Sequence, residues 1–218
     1  MRRSGWGAVV FVGAIVAAGL ASPPSASFSD VAEDDWFAPS VAWLAESGLT
    51  TGTAPGCYQP EQLLTRAQTA TFLHRLAETP DASAPLPFDD VTAPWAVEAV
   101  RWLAEEGITV GVAPGRFAPD AFVTRGQFAA FLHRFAGRPA ASAHPFDDVV
   151  SAYQQEPVAW LAAAGITTGT GPRAFSPDDY VTRAQLAVFL HRYVVDRRPT
   201  CRSPRHANGR SWSMPSVT

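Results

Sequence analysis

Lysine is missing from this chain: all 17 basic residues are arginines, with Arg2 and Arg3 at the start and five between Arg197 and Arg210. The stretch from Phe28 to Asp196 therefore sets ten arginines against all 20 acidic residues and carries a formal charge of -10. A body of that sign has no basic stripe for a phosphate backbone, which argues against nucleic acid as a partner but leaves room for a local anion site. Cysteine is nearly missing too. Cys57 and Cys201 allow one bridge at most, so the fold is no disulfide scaffold and must rest on an apolar core. Whether they pair in an oxidising compartment depends on a separation that sequence does not fix.

Long apolar runs are equally scarce. Only Gly7 to Ala21 qualifies, and it falls short of the ~20 residues of a membrane span. Met1-Arg2-Arg3 precedes it and the small residues Ser22 to Ala26 follow, the layout of a secretory signal peptide over residues 1–26. The expectation is export, with no integral membrane span after signal cleavage.

Catalytic signatures are missing as well. There is no Gly-x-Ser-x-Gly, no phosphate loop and no His-Glu-x-x-His, and Cys57 has no His nearby in sequence. Acids are plentiful, but they are spread evenly and no glycosidase pair stands out. His74, His133 and His191 could meet on a common axis as a zinc site, yet no Cys or carboxylate accompanies them at ligand spacing; the plainer reading is an exposed helix residue in each case. Asp34-Asp35, Asp89-Asp90 and Asp147-Asp148 lack the order of a calcium loop and read as solvated turns. The expectation is no enzyme, no metal and no cofactor.

What the chain does have is internal repetition. Three segments begin on Phe-x-Asp-Val, at Phe28 to Val31, Phe88 to Val91 and Phe146 to Val149. An aromatic follows at Trp36, Trp95 and Tyr153, then Trp-Leu at Trp43, Trp102 and Trp160. Gly-(Leu/Ile)-Thr-x-Gly spans Gly48 to Gly52, Gly107 to Gly111 and Gly165 to Gly169, and an aromatic-x-Pro signal starts at Tyr58, Phe117 and Phe175. Each segment closes on Thr-Arg-(Ala/Gly)-Gln and Phe-Leu-His-Arg, with Arg66, Arg125 and Arg183 spaced 59 and 58 residues apart.

Each segment reads as helix, loop, helix. Ala96, Ala99, Val100 and Leu103 recur at the spacing of one buried helical stripe, and Gly48, Gly107 and Gly165 sit where a helix end needs a left-handed residue. Thr65 to Gln68, Thr124 to Gln127 and Thr182 to Gln185 fit capping boxes that start the second helix, followed by apolar positions such as Ala70, Leu73 and Leu76. Gly126 in place of Ala weakens its helix start by up to about 1 kcal/mol. One such unit cannot bury its stripe alone, so the three should pack together. The expected architecture is all-α, with units at 28–77, 88–136 and 146–195, Pro/Ala/Ser-rich linkers between them, and a disordered basic tail at 196–218.

Taken together, the six elements from Phe-x-Asp-Val to Thr-Arg-(Ala/Gly)-Gln resemble the S-layer homology repeat of bacterial surface proteins. The resemblance covers residues 28 to about 195. It implies a three-repeat, pseudo-threefold module that binds secondary cell-wall polysaccharide, linked to peptidoglycan, in grooves between repeats and holds proteins noncovalently at the cell surface. In that family the guests are amino sugars bearing pyruvate ketals. The family's usual Thr-Arg-Ala-Glu is Thr-Arg-Ala-Gln here, which keeps the cap but removes a carboxylate beside each arginine.

The residues themselves point to a binding site at the same places. Arg66, Arg125 and Arg183 fall at the first helical position, where backbone amides and the helix dipole favour an anion and a guanidinium can grip a carboxylate by two bonds. Gly52, Gly111 and Gly169 permit close backbone approach, and Trp36, Trp95 and Tyr153 offer aromatic faces to a sugar. By resemblance, Asp30, Asp90 and Asp148 add contacts to sugar hydroxyls; read from the residues, they are equally turn or cap residues. The alternative for the arginines is salt bridging to nearby acids, and for Trp43, Trp102 and Trp160 it is the core. The functional expectation is a wall anchor. The second reading is the targeting part of a secreted wall-active enzyme whose catalytic domain lies elsewhere.

Overall fold

A computed structural model describes residues 28–196, so the signal peptide read at 1–26, the tail beyond Asp196 and Cys201 lie outside the described residues. Six helices occur in pairs: α1 (Ala38–Glu46) with α2 (Arg66–Leu76), α3 (Pro94–Glu105) with α4 (Arg125–Phe135), and α5 (Ala152–Ala163) with α6 (Arg183–His191), the last running into a π-helical turn at Arg192–Asp196. Among the described residues extended backbone pairs only as isolated bridges, so the fold is all-α, as the repeats predict.

The ends of these helices follow from local chemistry. Gly48, Gly107 and Gly165 adopt φ of +70°, +66° and +71°, which lets the amide three residues past the helix turn back: Leu49 N donates to Leu44 O, Ile108 N to Leu103 O and Ile166 N to Leu161 O at 2.8–2.9 Å. Together with the glycine amides, which donate to Ala45 O, Ala104 O and Ala162 O, these bonds complete a Schellman end in each repeat. Thr65, Thr124 and Thr182 form full capping boxes with Gln68, Gln127 and Gln185. The buried stripe of α3 is the one read from sequence, with Ala96, Ala99, Val100 and Leu103 all at 2% exposure or less.

The repeats close into a ring. α2 packs on α3, α4 on α5, and α6 returns to α1. Around the pseudo-threefold axis Leu64 N donates to Val181 O, Val181 N to Val123 O and Val123 N to Leu64 O, each at 2.9 Å. All three side chains are fully buried, so each contributes about 2 kcal/mol by leaving water. The next amides in each strand-like segment lock neighbouring repeats: Arg66 N donates to Ala121 O, Arg125 N to Asp179 O and Arg183 N to Gln62 O. No repeat completes its own second-helix start, and the ring must therefore form as a unit.

Candidate functional site

The three arginines lie at the centre of this closure. Arg66, Arg125 and Arg183 are 4–5% exposed, and their Nε atoms donate to Phe117 O, Phe175 O and Tyr58 O of the following repeat at 2.7–2.8 Å. Each guanidinium also lies over two rings, Arg66 over Phe117 and Phe131, Arg125 over Phe175 and Phe189, and Arg183 over Tyr58 and Phe72, at 4.5–5.8 Å. Burial pushes all three below the usual arginine range, and nearby groups including Asp90, Asp179 and Tyr58 partly oppose it. Their partners are carbonyls and aromatic faces, and the alternative of salt bridging within 4 Å does not describe them.

The helix starts differ from the sequence expectation in one respect. Their free amides are already taken: the first donates to the next repeat, the second does too (Ala67 N to Pro119 O, Gly126 N to Pro177 O, Ala184 N to Pro60 O), and the third bonds the threonine cap. Any anion held here must be gripped by side chains. Among the described residues, Arg183 Nη2 and Arg101 Nε are buried without a hydrogen-bond partner. An orphaned guanidinium nitrogen is costly.

Arg183 lines a groove of about 480 Å³ assembled from all three repeats. Repeat 1 gives Thr50, Gly52 and Thr53 from its Gly-Leu-Thr-x-Gly loop, Gln59 and Gln62 from the turn before α2, and Gln68, Thr71, Phe72 and Arg75 from α2; repeat 2 gives Trp95 and repeat 3 gives Arg183. Gly52, Trp95 and Arg183, predicted from three different repeats, thus share one cavity. Trp95 is 58% exposed, leaving its face available to a guest, and Trp36 and Tyr153 are similarly open. The lining holds two arginines and no carboxylate, a local positive site on an acidic body.

The glycines and aspartates shape the wall of this groove. A Cβ on Gly52, at φ +85°, would stand 2.4 Å from Cys57 O and 2.8 Å from the Phe28 ring, so the loop closes only on glycine; Gly111 and Gly169 meet the equivalent atoms at 2.4–2.5 Å. Asp30 accepts from Tyr58 N and Gln59 N, Asp90 from Phe117 N and Ala118 N, and Asp148 from Phe175 N and Ser176 N at 2.7–3.1 Å. Partial burial disfavours their ionised form, but these donors outweigh it and hold all three carboxyls below the usual range. Each carboxylate thereby clamps a residue with φ of 55–58°, left-handed at Gln59, Ala118 and Ser176. With these bonds they shape the turn that carries Gln59 and Gln62 to the groove, and the turn reading of these aspartates describes what they touch.

Two sequence readings need revision. His74 and His133 are buried at 7% and 4% exposure, not exposed on the helix. Each Nε2 donates to a linker carbonyl, Pro80 O or Pro139 O, while the rings of His74, His133 and His191 lie against Trp102, Trp160 and Trp43 of the next repeat, so they serve three separate interfaces. Arg75 was given no role, yet it lines the groove and donates to Leu49 O at 3.2 Å, with Arg134 and Arg192 doing the same to Ile108 O and Ile166 O. The signal was present, since Phe-Leu-His-Arg recurs in every repeat.

A ring of three helix pairs with a groove assembled from all three repeats defines a repeat-built module. The sequence profile of the S-layer homology domain matches residues 27–70, 87–129 and 145–187, more than half of the chain, and the protein belongs to that family. It is 30% identical over 189 residues to an S-layer protein of Bacillus thuringiensis subsp. finitimus, covering 81% of this chain and 23% of that one. It is 24% identical over 160 residues to a cellulosome-anchoring protein of Acetivibrio thermocellus, covering 71% and 35%. An endoglucanase of Bacillus sp. strain KSM-635 is 36% identical over 107 residues, covering 49% and 11%. The chain thus spans about a quarter of the S-layer protein's length.

Proposed function

We propose that the protein is a noncovalent anchor at the bacterial cell wall, which binds secondary cell-wall polysaccharide carrying pyruvate ketals and has no turnover of its own. The observation that carries this reading is the convergence of Gly52, Trp95, Arg75 and Arg183 in one open groove whose lining holds no carboxylate. A carboxylate on a sugar suits that set: two guanidiniums meet its charge, the indole faces its ring, and the glutamine amides can donate to or accept from hydroxyls. The names of the S-layer and cellulosome-anchoring relatives support placement on the cell surface.

The test is sedimentation of the protein with purified wall sacculi before and after mild acid removes the pyruvate ketals. Binding that is lost on removal is expected; equal retention on stripped walls overturns the ligand. The endoglucanase relative favours a second reading, in which such a module targets a wall-active enzyme. Reducing-sugar release from wall polymer by this chain alone separates the two, and none is expected.

A further inference from the structure

We propose that the groove closed by Arg183 is the chain's single working ligand site, and that Gln59, Gln62 and Thr71 are the residues that set it apart; this rests on the wall-polymer reading above. The repeats supply an internal comparison, because they hold nearly the same backbone with different side chains. Gln59, Ala118 and Ser176 share φ of 58°, 57° and 55°. The carbonyls of Gln62, Ala121 and Asp179 accept from the three arginine amides at 2.8–2.9 Å. At these matched positions only the first repeat presents amide groups to its groove.

The second repeat replaces Gln59, Gln62 and Thr71 with Ala118, Ala121 and Ala130, and Thr53 with the half-exposed Val112. Methyl groups there can neither donate to nor accept from a sugar hydroxyl or acetamido group. The third repeat has Ser176, Asp179 and Val188. Asp179 adds a carboxylate whose charge already acts on Arg125, where the first repeat has the neutral Gln62, so an incoming anion meets repulsion there. In the first groove no acid is present and the amides are neutral. That chemistry fits an anionic amino sugar carrying one carboxylate and several hydroxyls.

Calorimetric titration of the full chain with a methyl glycoside of a pyruvate-ketal N-acetylhexosamine reads the stoichiometry directly. One site per chain is expected. The triple variant Gln59→Ala, Gln62→Ala, Thr71→Ala installs what the second repeat already tolerates on the same backbone, so it should keep the parent melting temperature and bind at least about tenfold more weakly, the loss of roughly one good hydrogen bond. The reciprocal variant Ala118→Gln, Ala121→Gln, Ala130→Thr should bind a second equivalent. Two or three sites in the parent, parent-like affinity in the folded triple variant, or a folded reciprocal variant still at one site each overturn the inference while leaving the anchor reading intact. No binding by the parent overturns the pyruvylated-ligand reading and the inference with it.

Discussion

Replacing Arg125 with alanine isolates the structural role of the buried arginines, because this one does not line the groove built around Arg183. Arg125 Nε donates to Phe175 O at 2.8 Å from a site only 4% exposed, a charge-assisted bond of about 2 kcal/mol. Its guanidinium lies 4.8 Å and 5.5 Å from the Phe175 and Phe189 centroids, contributing about 1 kcal/mol at each ring. Against this, alanine no longer buries a charge, which offsets roughly 1 kcal/mol of the sum. The net loss is about 3 kcal/mol, which at a urea slope of about 2 kcal/mol/M lowers the unfolding midpoint by about 1.5 M. Tryptophan fluorescence and circular dichroism should report one shared transition, since the ring closes through all three repeats. Affinity for the sugar probe should stay near that of the parent. A midpoint shift under about 0.3 M would refute the idea that these arginines bind the ring together. The same arithmetic applies to Arg183, so loss of binding in Arg183→Ala alone does not separate contact from closure.

Arg75→Ala supplies that separation: Arg75 is exposed and lines the groove, so wall binding should weaken about tenfold while the melting temperature falls by no more than a few degrees, as measured by sedimentation and calorimetry. Gly126→Ala should destabilise despite the better helix propensity of alanine, because its Cβ would stand 2.1 Å from Nε2 of the buried Gln154, which itself donates to the Tyr153 hydroxyl. Adding Gln154→Ala recreates the Ala67 and Ala96 pair of the α2 and α3 interface, and thermal melts should show recovery of at least about 1 kcal/mol. The aspartate clamps set an acid limit. Their folded carboxyls lie below the ordinary value of 3.8, so their contribution is full above that value and is lost as pH falls through the folded values. Urea midpoints should drop below about pH 4, and Asp148→Asn should flatten that drop.

The helices, their ends and their register were legible because each is fixed by neighbours in sequence. A left-handed glycine after α1, α3 and α5 and a Thr-x-x-Gln box before α2, α4 and α6 act over a few residues, and both appear where the motifs stand. The glycines of the Gly-x-Thr-x-Gly loop were legible as close-approach positions, although what approaches is the backbone of the same repeat. The arginines were placed at the right helical position, but their environment was not, since Arg66 meets carbonyls some 50 residues away in the next repeat. The histidines misled for the same reason: helical periodicity says which face a residue occupies but not that another repeat will cover it.

Sequence alone thus determined the three units, their all-α character and the residue types at the clefts, because propensity, capping and period are local. Only the tertiary structure decided that the groove at Arg183 borrows from three repeats, that the first two amides of each second helix are consumed by ring closure, and which arginine nitrogens stay unpaired. Those outcomes depend on which carbonyls meet which donors once the ring is closed, and no spacing along the chain encodes that count.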